Sequence, residues 1–224
     1  MAKNDRSPCA SQVVVLGLGR FGASLALELV RRGSEVLGLD SDPVLVQRYA
    51  DDLTHAAVAD TTDAEALQQL DVHDFSRAVV GIGTDLEASI LTTAALVDLG
   101  IPHIWAKATS RQHGRILERI GAHHVVLPEF DMGERVAHLV TGRMIDYIEF
   151  DDNFAMVKTA APGEILDRPL SVSKVRARHG ITVVAIKRPG EEFTYATPDT
   201  VVHRGDVVIV SGRINNVEAF ANLI

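Results

Sequence analysis

The stretch VVVLGLGRFGASLALELVRRGSEVLGLD, Val13 to Asp40, decides the fold. A β-branched run leads into Gly17, Gly19 and Gly22, spaced G-x-G-x-x-G, and a helical pattern begins at once. Strand, glycine turn and helix in that order are the context a dinucleotide-binding turn requires. Gly17 permits the tight turn, Gly19 lets the backbone approach phosphate, and Gly22 allows the helix to pack closely on the strand. The free N–H groups at the helix N-terminus then face the phosphates. Asp40 ends the second apolar run, where a carboxylate accepts hydrogen bonds from ribose hydroxyls and repels a 2′-phosphate; Ser41 adjoins it. Arg20, between the glycines and followed by Phe21, adds charge and donors beside phosphate. A terminal phosphate, as in ATP or ADP, suits that arginine at least as well as NAD does.

From Val13 to about Met144 the same alternation continues. The runs VVVLG, EVLGLD, HAAVAD, RAVVGIG, HIWAKA and HHVVLP are separated by helical segments, which predicts six strands in a Rossmann-like, doubly wound parallel sheet of the α/β class. Phe21, Leu25 and Leu29 share one face of the first helix, and Gly33 follows its end. Asp60, in VADTTD, ends the third strand beside Thr61; it either faces an adenine or caps the helix of TTDAEALQQL. Gly81 and Gly83 let the chain pass close to a ligand, and Thr84 is expected to cap the next helix.

Beyond DMGERVAHLVTGRMIDYIEF, a helix running into a strand, the stretch DDNFAMVKTAAPGEILDRPLS reads as turn-rich and charged, and ITVVAIKR, EEFTYAT and DVVIVSG read as strands. Helical patterns recur at SVSKVRARHG and NNVEAFANLI. The expected organisation is a disordered leader over 1–12, a nucleotide-binding domain over 13–129, a crossover helix and linker over 130–148, and a smaller α+β domain over 149–224.

Composition bounds the function. With 224 residues, 46% of them hydrophobic, the chain can fill two cores. A net charge of -8 argues against a nucleic-acid surface, and Arg31, Arg32, Arg111, Arg115 and Arg119 read as solvated helix faces. The single cysteine, Cys9, cannot form an internal disulfide, which fits a cytoplasmic location. No apolar run approaches about 18 residues, so a membrane is expected to be reached only through a partner. No G-x-S-x-G, H-E-x-x-H, C-x-x-C or P-loop lysine pattern occurs. His123 and His124 are adjacent in a strand and face opposite sides, while His113 and His138 read as structural or solvated. Nothing marks a catalytic centre, so no enzyme activity is expected.

Four stretches, VLGLGRFGASLA, EVLGLDSDPVLV, GIGTDLEASILTTAALVDLGIPHIWAKA and LERIGAHHVVLPEFDMGERVA, resemble the KtrA/TrkA type of RCK (regulator of potassium conductance) gating subunits of bacterial potassium uptake systems. With VRARHGITVVAIKR the resemblance covers nearly the whole chain. It implies a nucleotide-binding domain followed by a ligand-binding domain, in dimers assembled as an octameric ring on an integral-membrane KtrB/TrkH-type subunit. Gly17, Gly19 and Gly22 match its nucleotide loop, Asp40 its ribose-binding acid, and Arg20 a residue meeting the terminal phosphate of ATP. Lys107 matches a basic position near the nucleotide. Glu129 matches an acid linked to Mg2+ or Ca2+ between subunits; the alternative is a carboxylate that favours the following helix. In the C-terminal part Ile165, Leu166, Arg176 and His179 match loosely a cyclic di-AMP site, with domain packing as the alternative. VADTTD departs from the family's third-strand form, which keeps NAD or NADH beside ATP and ADP as ligand. An NAD-dependent oxidoreductase is the rival reading, and it lacks a placed acid or base.

Overall fold

A computed structural model describes residues 11–140, 144–151 and 153–224. Its internal contacts divide the chain into two units, Met1–Glu129 and Phe130–Ile224. The leader expected over 1–12 lies, for residues 1–10, outside the described residues; Gln12 already opens the first strand.

The first unit alternates β1 Gln12–Leu16, α1 Arg20–Arg31, β2 Glu35–Asp40, α2 Pro43–Tyr49, β3 His55–Val58, α3 Ala64–Gln69, β4 Arg77–Val80, α4 Leu86–Asp98, β5 His103–Lys107, α5 Arg111–Ile120 and β6 His124–Val126; α6 Pro128–Val140 leaves it. All six strands are parallel, in the order β3-β2-β1-β4-β5-β6. The continuous apolar run of β1 follows from its burial on both faces. Val14 and Leu16 join Leu39, Val80 and Ile104 in one core, whereas Val13 and Val15 join Ala26, Val36 and Val46 in another. The strand order reverses direction between β1 and β4, the place at the carboxyl ends of the strands where sheets of this kind take ligands.

Helix starts differ from the sequence expectation in two places. Asp63, whose carboxylate accepts from the Glu65 N–H, caps α3, while Asp60 accepts instead from the N–H and hydroxyl of Thr62. Asp85, accepting from the Ala88 N–H, caps α4 in place of Thr84. In each case the residue nearer the helix wins, because a side-chain oxygen must reach the N–H two or three residues on.

The second unit holds β7 Asp146–Asp151, β8 Phe154–Ala160, α7 Leu170–Ser173, α8 Val175–His179, β9 Ile181–Lys187, β10 Thr194–Tyr195, β11 Val207–Arg213 and α9 Ile214–Ala221. Its antiparallel sheet runs β10-β9-β11-β8-β7. Strand β8 lies in the stretch read as turn-rich: Ala155, Val157 and Thr159 alternate inward, while Met156 and Lys158 lie on the other face. EEFTYAT keeps only Thr194 and Tyr195 as strand, and SVSKVRARHG breaks into two helices at Lys174, which adopts a φ of 50°. The expected linker is part of the second core, since Met144 and Tyr147 are buried with Val157, Val210 and Phe220.

Candidate functional site

The site is built on the turn between β1 and α1. Gly17 has a φ of 96°, a left-handed value that favours glycine, and its N–H donates to the Leu39 carbonyl at 2.7 Å. A Cβ added at Gly22 would lie 1.8 Å from the Gly17 carbonyl oxygen, so close helix–strand packing forbids any side chain there. Gly81 seals the turn from the β4 side: its N–H donates to the Leu16 carbonyl at 2.7 Å, and an added Cβ would come 2.9 Å from the Gly17 oxygen. At Gly19, by contrast, an added Cβ meets nothing within 4 Å. The turn is packed on every side except the one at Gly19.

Helix α1 is also the one left uncapped among the first five. Asp42, Asp63, Asp85 and Ser110 cap α2 to α5 with side-chain oxygens, whereas Gly19 offers α1 no side chain and its first turn carries no acid. The N–H groups of Arg20, Phe21 and Gly22 have no intrahelical acceptor, and with the helix dipole they favour an anion. Arg20 is exposed and has no hydrogen-bond or ion-pair partner among the described residues. The helix-carboxylate pairing that would make it an ordinary surface arginine is not formed.

Asp40 sits opposite this turn at the end of β2. Its Oδ2 accepts from the Leu18 N–H at 2.6 Å and its Oδ1 from the Asp42 N–H at 2.8 Å. It therefore shapes the glycine loop itself, a role absent from the sequence reading. Each carboxylate oxygen keeps a further lone pair for a ribose hydroxyl. Ser41, the residue after β2, and Asp60, two residues past the end of β3, are both exposed. The carboxyl of Asp60 is held below its usual range by the Thr62 hydroxyl, then by the Thr62 N–H. Thr61 is buried, its hydroxyl 2.8 Å from that of Thr92 in α4, and so belongs to the packing under the site.

On the β5 side, Lys107 and Glu129 form an ion pair at 2.7 Å. The Lys107 ammonium lies 5.7 Å from the Phe21 ring centre, and a Cβ at Gly83 would meet it at 3.0 Å. The absence of a side chain at Gly83 thus makes room for Lys107. The hydrogen bond from Lys107 holds the Glu129 carboxyl below its usual range, assisted by the Glu129 N–H and by the charges of Lys107 and Arg20. A hard dication takes six or more oxygen ligands. One chain offers a single carboxylate here, with the Lys107 ammonium on it, so a dication between subunits, as the resemblance implies, would take its remaining donors from a second copy and from phosphate. Among the described residues, the only cluster of three close acidic or histidine ligand atoms is Asp71, His73 and Asp74, just before β4 and so at the opposite end of the sheet from the glycine loop.

In the second unit Ile165 is a core residue, 1% exposed, and its side chain is closed to a ligand. Leu166 bridges to Val202, Arg176 donates to the Thr182 hydroxyl at 2.9 Å, and His179 contacts Glu164. Each of the four positions thus has a packing, bridge or polar partner within the second unit, as the packing alternative expects.

Family models match at residues 13–128, as a TrkA-N domain, and at 154–224, as a TrkA-C domain. Ktr system potassium uptake proteins C and A of Bacillus subtilis (strain 168) are 37% and 35% identical, covering 93% and 94% of this chain and 95% and 96% of theirs. Among solved structures, a GsuK channel bound to NAD superposes with a TM-score of 0.65 at 16% identity over 98% of this chain and 40% of that one. A GsuK structure bound to ADP matches 58% of this chain and 34% of that one, with a TM-score of 0.51 at 17% identity. At these identities the structures speak for the fold, and the family models and relatives for the lineage. Among the described residues no helix is long and apolar enough to cross a membrane. With its glycine turn in a TrkA-N domain and its antiparallel sheet in a TrkA-C domain, the chain belongs to the KtrA/TrkA-type RCK family of potassium uptake proteins.

Proposed function

We propose that this chain is a nucleotide-sensing regulatory subunit, without enzyme activity, that controls potassium transport through a membrane-embedded partner. The observation that carries the reading is the open, uncapped start of α1 at Gly19 in a turn otherwise closed on itself. Those N–H groups take an anionic phosphate, Asp40 holds the ribose, and Arg20 reads a terminal phosphate. The NAD and ADP named with the GsuK channel support an adenine nucleotide on this fold. Gly17, Gly19, Arg20, Phe21, Gly22 and Asp40 form the binding group, Ser41 and Asp60 border it, and Lys107 supplies the second cation. NAD or NADH remains the alternative ligand, favoured by the acid at Asp40.

ATP and ADP act through one site only if they favour different arrangements of the protein, because a ligand that binds two states equally shifts neither. In this reading the chain works on the cytoplasmic side as a homodimer within an octameric ring, where modest coupling at each site adds up on one transport pathway. Calorimetric titration of the full chain with ATP, ADP, NAD and NADH tests it, with Arg20→Ala alongside. Adenine-nucleotide binding without turnover is expected, with Arg20→Ala losing about tenfold or more for ATP and less for ADP, as a charge-assisted phosphate contact predicts. Equal losses remove Arg20 from the terminal phosphate, and binding of none of the four overturns the proposal.

A further inference from the structure

His113, the third residue of α5, is 3% exposed, and only one of its ring nitrogens has a partner. Its Nδ1 accepts from the Thr109 N–H at 3.3 Å, which fixes the neutral ring with its proton on Nε2. Nε2 is buried and meets no hydrogen-bond partner among the described residues. The same ring fastens the turn between β5 and α5. Thr109 is held by Nδ1, Ser110 accepts from the His113 N–H at 3.1 Å, and the Ala108 N–H donates to the Val126 carbonyl at 2.8 Å.

A proton on Nδ1 would undo this fastening. The new ring N–H would point at the Thr109 N–H, donor against donor, and a positive charge in the first turn of α5 would oppose the helix dipole. Burial already pushes the pKa of the ring below the ordinary 6.5, and it is the one cause acting there. Charged neighbours do not offset it: Asp85 and Glu87 at the start of α4, His124 on β6, and Arg111 and Arg115 on α5 are all exposed, and Lys107 on β5 is paired with Glu129. The turn begins two residues short of Thr109 at Lys107, whose ammonium stands 5.7 Å from the Phe21 ring in the first turn of α1. His113 therefore works at the nucleotide end of the sheet.

We propose that His113 is a proton-operated latch: the neutral ring keeps the β5–α5 turn closed, protonation opens it, and a nucleotide in the adjoining site, by favouring the closed turn, opposes proton uptake. The last clause rests on the nucleotide reading above; the latch itself does not. The closed turn excludes a proton that the open turn takes up, so opening is least above pH 6.5 and grows as pH falls below it. With the ordinary value of 6.5 in the open turn, the opening constant rises by up to about tenfold between pH 7.5 and 5.5.

The test is hydrogen exchange and histidine proton NMR on the full chain between pH 7.5 and 5.5. Protection factors divide out the intrinsic pH dependence of exchange. They should fall by up to about tenfold at Thr109 and hold at Val79 and Val80 in β4. In His113→Asn, whose Oδ1 can accept from Thr109 without titrating, no such fall is expected. The ring of His113 should titrate below pH 6.5. ADP at about a hundred times its Kd should raise Thr109 protection about a hundredfold and move that midpoint lower still, as reciprocity requires. Equal falls at Thr109 and in β4, the same fall in His113→Asn, or a midpoint at or above 6.5 overturns the latch. ADP that binds and changes neither protection nor midpoint overturns its link to the site. If His113→Asn does not fold, the wild-type exchange and titration decide alone. Failure of the wild type to bind ADP at pH 7.5 overturns the nucleotide reading, while exchange and titration without ADP still decide the latch.

Discussion

Gly19 and Gly22, three positions apart in one motif, are predicted to fail in opposite ways when replaced by alanine. At Gly22 the new methyl would lie 1.8 Å from the Gly17 carbonyl oxygen and 3.0 Å from its carbonyl carbon. An ordinary contact is roughly 3.5 Å, so the backbone must give by more than about 1.5 Å. The turn is fastened by Gly17 to Leu39, Gly81 to Leu16 and Leu18 to Asp40. Overpacking costs about 1–3 kcal/mol and each hydrogen bond sacrificed about 1 kcal/mol, against about 1 kcal/mol regained from alanine's helix preference. With one such bond lost the net cost is about 1–3 kcal/mol, and Tm should fall by roughly 2–12 °C. At Gly19 the methyl meets nothing within 4 Å and φ is already -63°. The fold loses less than about 1 kcal/mol, from the weaker N-terminal preference of alanine. The methyl does occupy the open side of the turn, so ADP affinity should drop at least about tenfold. Thermal unfolding followed by circular dichroism, with calorimetric ADP titration, reads both effects. A Gly22→Ala protein melting within about 2 °C of the wild type would refute the packing argument. A Gly19→Ala protein that binds ADP normally, or melts as low as Gly22→Ala, would refute the assignment of the open side to a ligand.

Two further expectations concern residues below the site. Thr61→Val should cost about 1–3 kcal/mol in a denaturant melt by stranding the buried Thr92 hydroxyl, and should leave ADP affinity unchanged; weaker ADP binding at full stability would place Thr61 on the ligand. His113 is buried in the first turn of α5, and burial pushes its pKa below the ordinary 6.5. Its Nδ1 accepts from the Thr109 N–H at 3.3 Å, so the neutral ring fits the site. Below pH 6.5 the unfolded chain binds the proton first, so this residue's share of stability is present above that pH and lost as pH falls toward the lower folded value. Denaturant midpoints measured from pH 8 to 5 should fall less in His113→Gln than in the wild type, and parallel curves would refute the role.

The nucleotide-binding half was legible because its signals are local. β1 is buried on both faces and therefore apolar throughout, and Gly17 and Gly22 are glycines for steric reasons that the motif's spacing already encodes. The second half was less legible. β8 pairs with both β7 and β11, yet its alanines and Lys158 dilute its strand preference, and its alternation is clear only once Ala155, Val157 and Thr159 are known to face the core. Lys174 breaks a helical pattern through a backbone conformation that no glycine announces.

By itself the sequence determined the parallel sheet, the position of the glycine turn and the acid at the end of β2. All three depend on burial period or on contacts within one strand–turn–helix unit. Only the tertiary structure decided which polar groups meet. It turned Thr61 inward to Thr92, set Leu18 and Asp42 on the two oxygens of Asp40, gave Gly83 to Lys107 and brought Glu129 to the same ammonium. Most of these partners lie about 20 or more residues apart and are joined by the pairing of neighbouring strands. Hydrophobic period specifies that a residue is buried, but the register between elements specifies whom its polar atoms can reach.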